Sequence, residues 1–208
     1  MQPENIKKLP NRITMFRILI VAVFIPAVLA DTMFYSIIAI VLFAIAAVSD
    51  FLDGYLARKY NLVSNFGKVM DPLADKILNL SALVCFVHLG IAPPWMVVII
   101  IGREFLVSGI RIIVAEEGEI IMASNWGKAK TVMEITAVSV TLLLIAANHT
   151  INYLGLSRQD MLIKGEPLTE FVLLTVIPYV LLLIAAALSL ISGLEYYFKN
   201  KRVFDKEL

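Results

Sequence analysis

Four aspartates stand in two pairs, Asp50 with Asp53 and Asp71 with Asp75, separated by three and four residues. On a helix those spacings place each pair on one face. The first pair runs on into Gly54, Ala57 and Arg58, and at about 100° per residue these five positions fall within an arc of roughly 140°. Tyr55 and Leu56 point elsewhere. After eight intervening residues comes Gly67, followed by the second pair. Carboxylates gathered in this way repel one another and are costly near a membrane unless paired or solvated. Divalent cations resolve that conflict. Mg²⁺ or Mn²⁺ takes hard oxygen ligands, and two such ions close together can clamp a phosphoryl group while stabilising nucleophile and leaving group. The bland alternative is an interfacial charge network in which Arg58, Lys59, Lys68 and Lys76 pair with the acids.

The elements that must position these residues are apolar. Of 208 residues, 60% are hydrophobic and the mean hydropathy is +0.84, against about 45–50% apolar residues in a soluble domain. Runs at Ile13–Ala30, Met33–Ala57, Pro72–Leu89, Pro93–Val114, Thr131–Ala147 and Phe171–Tyr197 approach the ~20 residues that cross a bilayer core. The sequence therefore predicts an all-α polytopic membrane protein with six transmembrane helices, forming one domain over residues 1–208. Pro72 suits the first turn of the third helix, where its missing N–H costs nothing. Ile13–Ala30 is longer than a usual signal-peptide core, which marks it as a retained helix. Residues 1–12 form a cytoplasmic amino-terminal segment.

Charge sets the orientation. Lys7, Lys8, Arg12, Arg58, Lys59, Lys68, Lys128, Lys130, Lys199, Lys201, Arg202 and Lys206 fall on one side, and only Arg158 and Lys164 in the opposite loops. By the positive-inside rule both termini and the aspartates are cytoplasmic. The long outer connection, Asn148–Glu170, holds a glycosylation-type sequon to which no weight attaches, and His149 in it reads as a solvated loop residue. His88 lacks a second ligand at metal-binding spacing. Cys85 is the single cysteine, so no intramolecular disulfide forms, and it reads as a packing residue. Pro93-Pro94-Trp95 reads as a turn with an interfacial aromatic.

The motif resembles that of the CDP-alcohol phosphotransferase family, D-x2-D-G-x2-A-R-x8-G-x3-D-x3-D, matched at every fixed position by Asp50, Asp53, Gly54, Ala57, Arg58, Gly67, Asp71 and Asp75. The resemblance implies a CDP-linked donor, CMP as a product, two divalent metal ions (Mg²⁺ or Mn²⁺) held by Asp50, Asp53, Asp71 and Asp75, and Asp75 as the general base that deprotonates the acceptor hydroxyl. It also implies room for cytidine and diphosphate at Gly54, Ala57 and Gly67, and a nucleotide contact from Arg58. Asn11, with Thr14 and Arg17, is similar to the family's first-helix entry segment. Members are typically homodimers, and a bacterial plasma membrane is implied. Tight helix packing is the alternative for the small residues, lipid snorkelling for Arg58 and Arg17, and helix capping for Asn11.

A second set of charges bears on the acceptor. Arg103 and Arg111 are about two helical turns apart in one apolar run, and Lys128 and Lys130 follow at the start of the next. An arginine inside an apolar helix needs a cavity or a partner, and a helix amino terminus favours anions. A cationic pocket facing the aspartates suits an acceptor bearing a phosphate. The run is similar to that of bacterial phosphatidylglycerophosphate synthases, which implies CDP-diacylglycerol and glycerol 3-phosphate as substrates. In the alternative, Glu104 or Glu134 neutralises Arg103 and the other cations only mark the cytoplasmic side. Other acceptors within the family are inositol phosphate, serine and phosphatidylglycerol. A divalent-cation channel would need acids along a continuous path, and none of the other helices carries such a row.

Overall fold

The computed structural model describes residues 9–30, 32–60, 65–116, 124–155, 162–163 and 166–201, with side chains described for 15–30, 32–49, 76–115, 124–155 and 170–201. Five long helices come first: α1 (Leu9–Leu29), α2 (Met33–Tyr60), α3 (Asn65–His88), α4 (Pro94–Glu116) and α5 (Asn125–Tyr153). A two-residue antiparallel ladder follows, β1 (Leu162–Ile163) with β2 (Glu166–Pro167), in register Leu162 to Pro167. The short α6 (Leu168–Phe171), a π-helical stretch Val172–Val176 and the long α7 (Ile177–Lys199) complete the order. The all-α expectation is met by six long helices among the described residues.

Two of these runs, Asn125–Tyr153 and Val172–Lys199, are long and apolar enough to cross a membrane, and shorter apolar stretches cover Met15–Leu29, Met33–Ser49 and Lys76–His88. Large apolar side chains face outward on α1, α4 and α5, among them Leu19, Val98, Phe105 and Val132. Such a surface is unfavourable in water and suited to lipid. Hydroxyls on the helices are satisfied locally. Ser49, Ser81, Ser108, Thr131, Thr136, Thr141 and Thr150 each donate to the backbone carbonyl four residues earlier, so none of these needs water.

The chain divides into two compact units, residues 1–85 with 142–160, and residues 86–141 with 161–208. In the first, α1 packs on α2. Phe24 meets Phe43 with ring centroids 6.1 Å apart. Ala39, Phe43 and Ala46 are buried at helical spacing on one face of α2, and small residues there let the backbones approach. In the second, α4 packs on α7. The buried positions Met96, Ile100, Val107, Ile110 and Val114 of α4 and Leu182, Ala185, Ser189, Ser192 and Tyr196 of α7 recur at steps of three, four or seven residues, as an interlocking helix seam requires.

Three boundaries differ from the sequence reading. α3 begins at Asn65, so Pro72 lies well inside it rather than in its first turn; proline's fixed φ suits a helix, and continuing through it forfeits one backbone hydrogen bond. α5 runs to Tyr153, so Asn148-His149-Thr150 is helical and not loop. Their polar side chains find partners without leaving the helix: Asn148 is buried, His149 Nδ1 lies 2.6 Å from Ser36 Oγ, and Thr150 Oγ1 bonds the Ala146 carbonyl. Finally, α1 starts at Leu9, placing Asn11 in the first turn and not at the cap. The π stretch precedes Pro178, whose ring would press on the carbonyl four residues back; the Ile177 N–H instead reaches Val172, five residues back.

α3 ends in a glycine motif. Gly90 has φ of 72°, its N–H bonds the Val87 carbonyl at 3.1 Å and the Ile91 N–H bonds Phe86 at 2.9 Å, the paired bonds of a Schellman terminus. Replacing Gly90 with alanine forces an L side chain into the left-handed region at about 1 kcal/mol. Thermal unfolding of the detergent-solubilised protein should show a melting temperature lower by about 2–4 °C.

Candidate active site

The aspartate motif lies on consecutive helices. α2 is continuous through Asp50, Asp53, Gly54, Ala57 and Arg58 and ends at Tyr60, and α3 is continuous through Gly67, Asp71 and Asp75. Only residues 61–64 separate the two. The three- and four-residue spacings are therefore spacings on real helices, and each pair shares a helix face. The side chains of Asn11, Asp50, Asp53, Gly54, Ala57, Arg58, Gly67, Asp71 and Asp75 lie outside the described residues. As a donor set, four carboxylates at these spacings fit hard divalent cations such as Mg²⁺ or Mn²⁺ and offer nothing to a soft, thiol-seeking metal.

The basic residues of the second unit are described in full. Arg103 lies on the α4 seam between Ile100 and Val107, so the periodicity that packs the helix also carries a guanidinium inside. Its side chain is 9% exposed. Nη1 donates to Glu104 Oε1 at 2.8 Å and Nη2 to Ser192 Oγ at 2.6 Å. Lys130, 2% exposed, donates to the same Glu104 oxygen at 2.6 Å and is ion-paired with Glu134 one turn along α5. Two cations thus face two carboxylates, the arrangement that makes buried charge tolerable. The alternative of Arg103 neutralised by Glu104 is present in the geometry, and Lys130 is the cation held most completely.

Arg111 differs. It is exposed, and among the described residues it makes no ion pair; its Nη2 donates to the Tyr196 hydroxyl at 2.7 Å. Both arginines approach the Tyr196 ring, with guanidinium carbons 5.4 Å (Arg111) and 5.8 Å (Arg103) from its centroid. The structure therefore brings Arg103, Arg111 and Lys130 into one network. It does not bring in the side chain of Lys128, which is exposed and touches none of these groups among the described residues.

Backbone and small residues shape the slot that Arg103 occupies. Ser124 caps α5, its Oγ accepting the Gly127 N–H at 3.0 Å, an ordinary N-cap bond. A Cβ at Gly127 would stand 3.4 Å from Arg103 Nη2, and one at Gly193 would stand 3.2 Å from Arg103 Cγ. Ser192, Gly193 and Tyr196 escaped the sequence reading. Their signal was nevertheless available, since Ser189, Ser192 and Tyr196 continue the apolar 3–4 repeat of α7 with polar residues.

The sequence pattern of the CDP-alcohol phosphatidyltransferase family matches residues 7–196. The chain belongs to this family. Among relatives is a CDP-diacylglycerol–glycerol-3-phosphate 3-phosphatidyltransferase of Bacillus subtilis, 44% identical and covering 65% of this chain and 76% of the relative. A Rickettsia felis protein of the same name is 32% identical over 95% of this chain and 98% of its own length. A probable phosphatidylglycerophosphate synthase of Mycobacterium tuberculosis is 38% identical over 67% and 68%. The family match takes in both the aspartate motif and the basic network.

Removing one partner from the buried ion cluster leaves unpaired charge. Lys130→Met strands Glu134, leaves Glu104 with Arg103 alone and should destabilise the protein by roughly 3 kcal/mol. Adding Glu134→Leu should recover part of the loss, read as a partial return of the melting temperature.

Proposed function

We propose that this chain transfers the phosphatidyl group of CDP-diacylglycerol to glycerol 3-phosphate, giving phosphatidylglycerophosphate and CMP. The observation that carries this reading is the likeness, over nearly the full length of both chains, to a relative named for that reaction, within a family match spanning residues 7–196. The basic network agrees with it chemically, because an acceptor that carries a phosphate needs cations and an uncharged alcohol does not.

In this mechanism Asp75 takes the proton from the acceptor hydroxyl as its oxygen attacks the phosphorus attached to diacylglycerol, and CMP leaves. Asp50, Asp53, Asp71 and Asp75 would hold two divalent ions, Mg²⁺ or Mn²⁺, which when bound offset the diphosphate's charge as it builds up on the leaving group. Gly54, Ala57 and Gly67 leave space for the cytidine diphosphate, with Arg58 and Asn11 beside the nucleotide. Arg111, Arg103 and Lys128 bind the acceptor phosphate, and an anion there would satisfy Arg103 Nε, a buried donor with no partner among the described residues. Lys130, held by Glu104 and Glu134, acts by fixing Glu104 beneath Arg103. The chain works as one domain of six transmembrane helices in a bacterial plasma membrane, as a homodimer with termini and active site on the cytoplasmic side.

Incubating the purified protein with CDP-diacylglycerol, Mg²⁺ or Mn²⁺ and each acceptor in turn, while following CMP release, tests the assignment. Glycerol 3-phosphate should support release, and release with serine or inositol phosphate alone would reject it. Asp75→Asn should lower the rate by about 10²–10⁴-fold with the fold retained. Chelation by EDTA should abolish activity, and added Mg²⁺ or Mn²⁺ should restore it. Arg111→Gln should raise KM for glycerol 3-phosphate by roughly tenfold and leave that for CDP-diacylglycerol little changed.

A further inference from the structure

Tyr196 sits at the end of the α7 seam with 2% of its surface exposed, and its buried ring lies against two guanidinium groups. The partners of the three cations differ in kind. Arg103 and Lys130 face carboxylates, which hold them and also cancel their charge. The hydroxyl of Tyr196 holds Arg111 through one of its five N–H donors, and a neutral phenol leaves the positive charge in place. The ring adds to this, because its negative face attracts a cation without neutralising it.

We propose that Tyr196 is a positioning residue for the acceptor site: it fixes the Arg111 guanidinium while keeping its charge available to the phosphate of the acceptor. The proposal rests on the reading of Arg111 as an acceptor-phosphate ligand. An exposed arginine has several rotatable bonds, and ordering it at the moment of binding weakens affinity; a side chain already held by Tyr196 avoids much of that loss. Arg103 needs Tyr196 less, since Glu104 and Ser192 already clamp both ends of its fork. The effect of losing the phenol therefore falls on Arg111.

The conservative variant Tyr196→Phe keeps the buried ring and removes only the hydroxyl. It should raise KM for glycerol 3-phosphate by roughly five- to tenfold, while KM for CDP-diacylglycerol and kcat at saturating acceptor change by less than twofold. In an Arg111→Gln background the same substitution should add less than twofold, because the group it positions is gone. Equal effects on both substrates, or a Tyr196→Phe effect undiminished in that background, would overturn the proposal. Should Arg111→Gln alone leave the glycerol 3-phosphate KM unchanged, the acceptor reading itself fails. If Arg111→Gln raises it and Tyr196→Phe does not, only the positioning role is lost. A measurement independent of turnover is the rise in melting temperature on adding glycerol 3-phosphate, compared on the same sample with the rise on adding CMP and Mg²⁺. Tyr196→Phe should shrink the first and spare the second; loss of both together, or of neither, refutes the role.

Discussion

The Lys130 ammonium lies between the carboxylates of Glu104 and Glu134, almost out of reach of solvent, and the polar end of the α4, α5 and α7 unit is organised by that contact. A lone ion of either sign could not stay in such a setting, because desolvation costs several kcal/mol per charge after relaxation. Each group therefore constrains the next. Lys130 fixes Glu104, Glu104 takes Arg103 Nη1, and Ser192 takes Arg103 Nη2. The arginine stem then needs the side-chain-free surface that Gly193 provides. Removing any one of these leaves a neighbour unpaired or crowded, so the cluster acts as a unit.

Elsewhere the same physical demand is met locally. Where the helices turn large apolar side chains outward, hydroxyls fold back onto carbonyls of their own helix, as Thr136 does at 2.8 Å. Backbone groups freed at helix ends are taken up by tight motifs such as the one at Gly90. Longer-range polar contacts among the described residues include Ser36 with His149 and Arg111 with Tyr196. In an apolar medium such bonds have no water to compete with them.

For a phosphatidyltransferase family member this division has a chemical sense. The carboxylates carried by α2 and α3 are of a type that suits hard divalent cations, the ions proposed above to offset the donor's diphosphate. The α4, α5 and α7 network contains cations of two sorts, two balanced by glutamates and one, Arg111, held by a phenol. Within this network Arg111 is the cation whose charge no carboxylate among the described residues cancels.

Much of this was legible in the sequence. Helices follow from apolar runs of sufficient length, and the aspartate motif is local, with three- and four-residue spacings that keep their meaning on any helix. Boundaries were read less well where a residue's polarity was compensated inside the helix, as at Asn148 and Thr150, or where proline was tolerated, as at Pro72. The sequence alone determined which residue types share a helix face, because backbone geometry repeats every 3.6 residues wherever the chain is helical. Which cation meets which carboxylate, that Ser192 and Gly193 flank Arg103, and that Tyr196 receives Arg111 were decided only by the tertiary structure. Those contacts join residues as much as 89 positions apart, and they depend on the rotation and axial offset of packed helices, which no local spacing records.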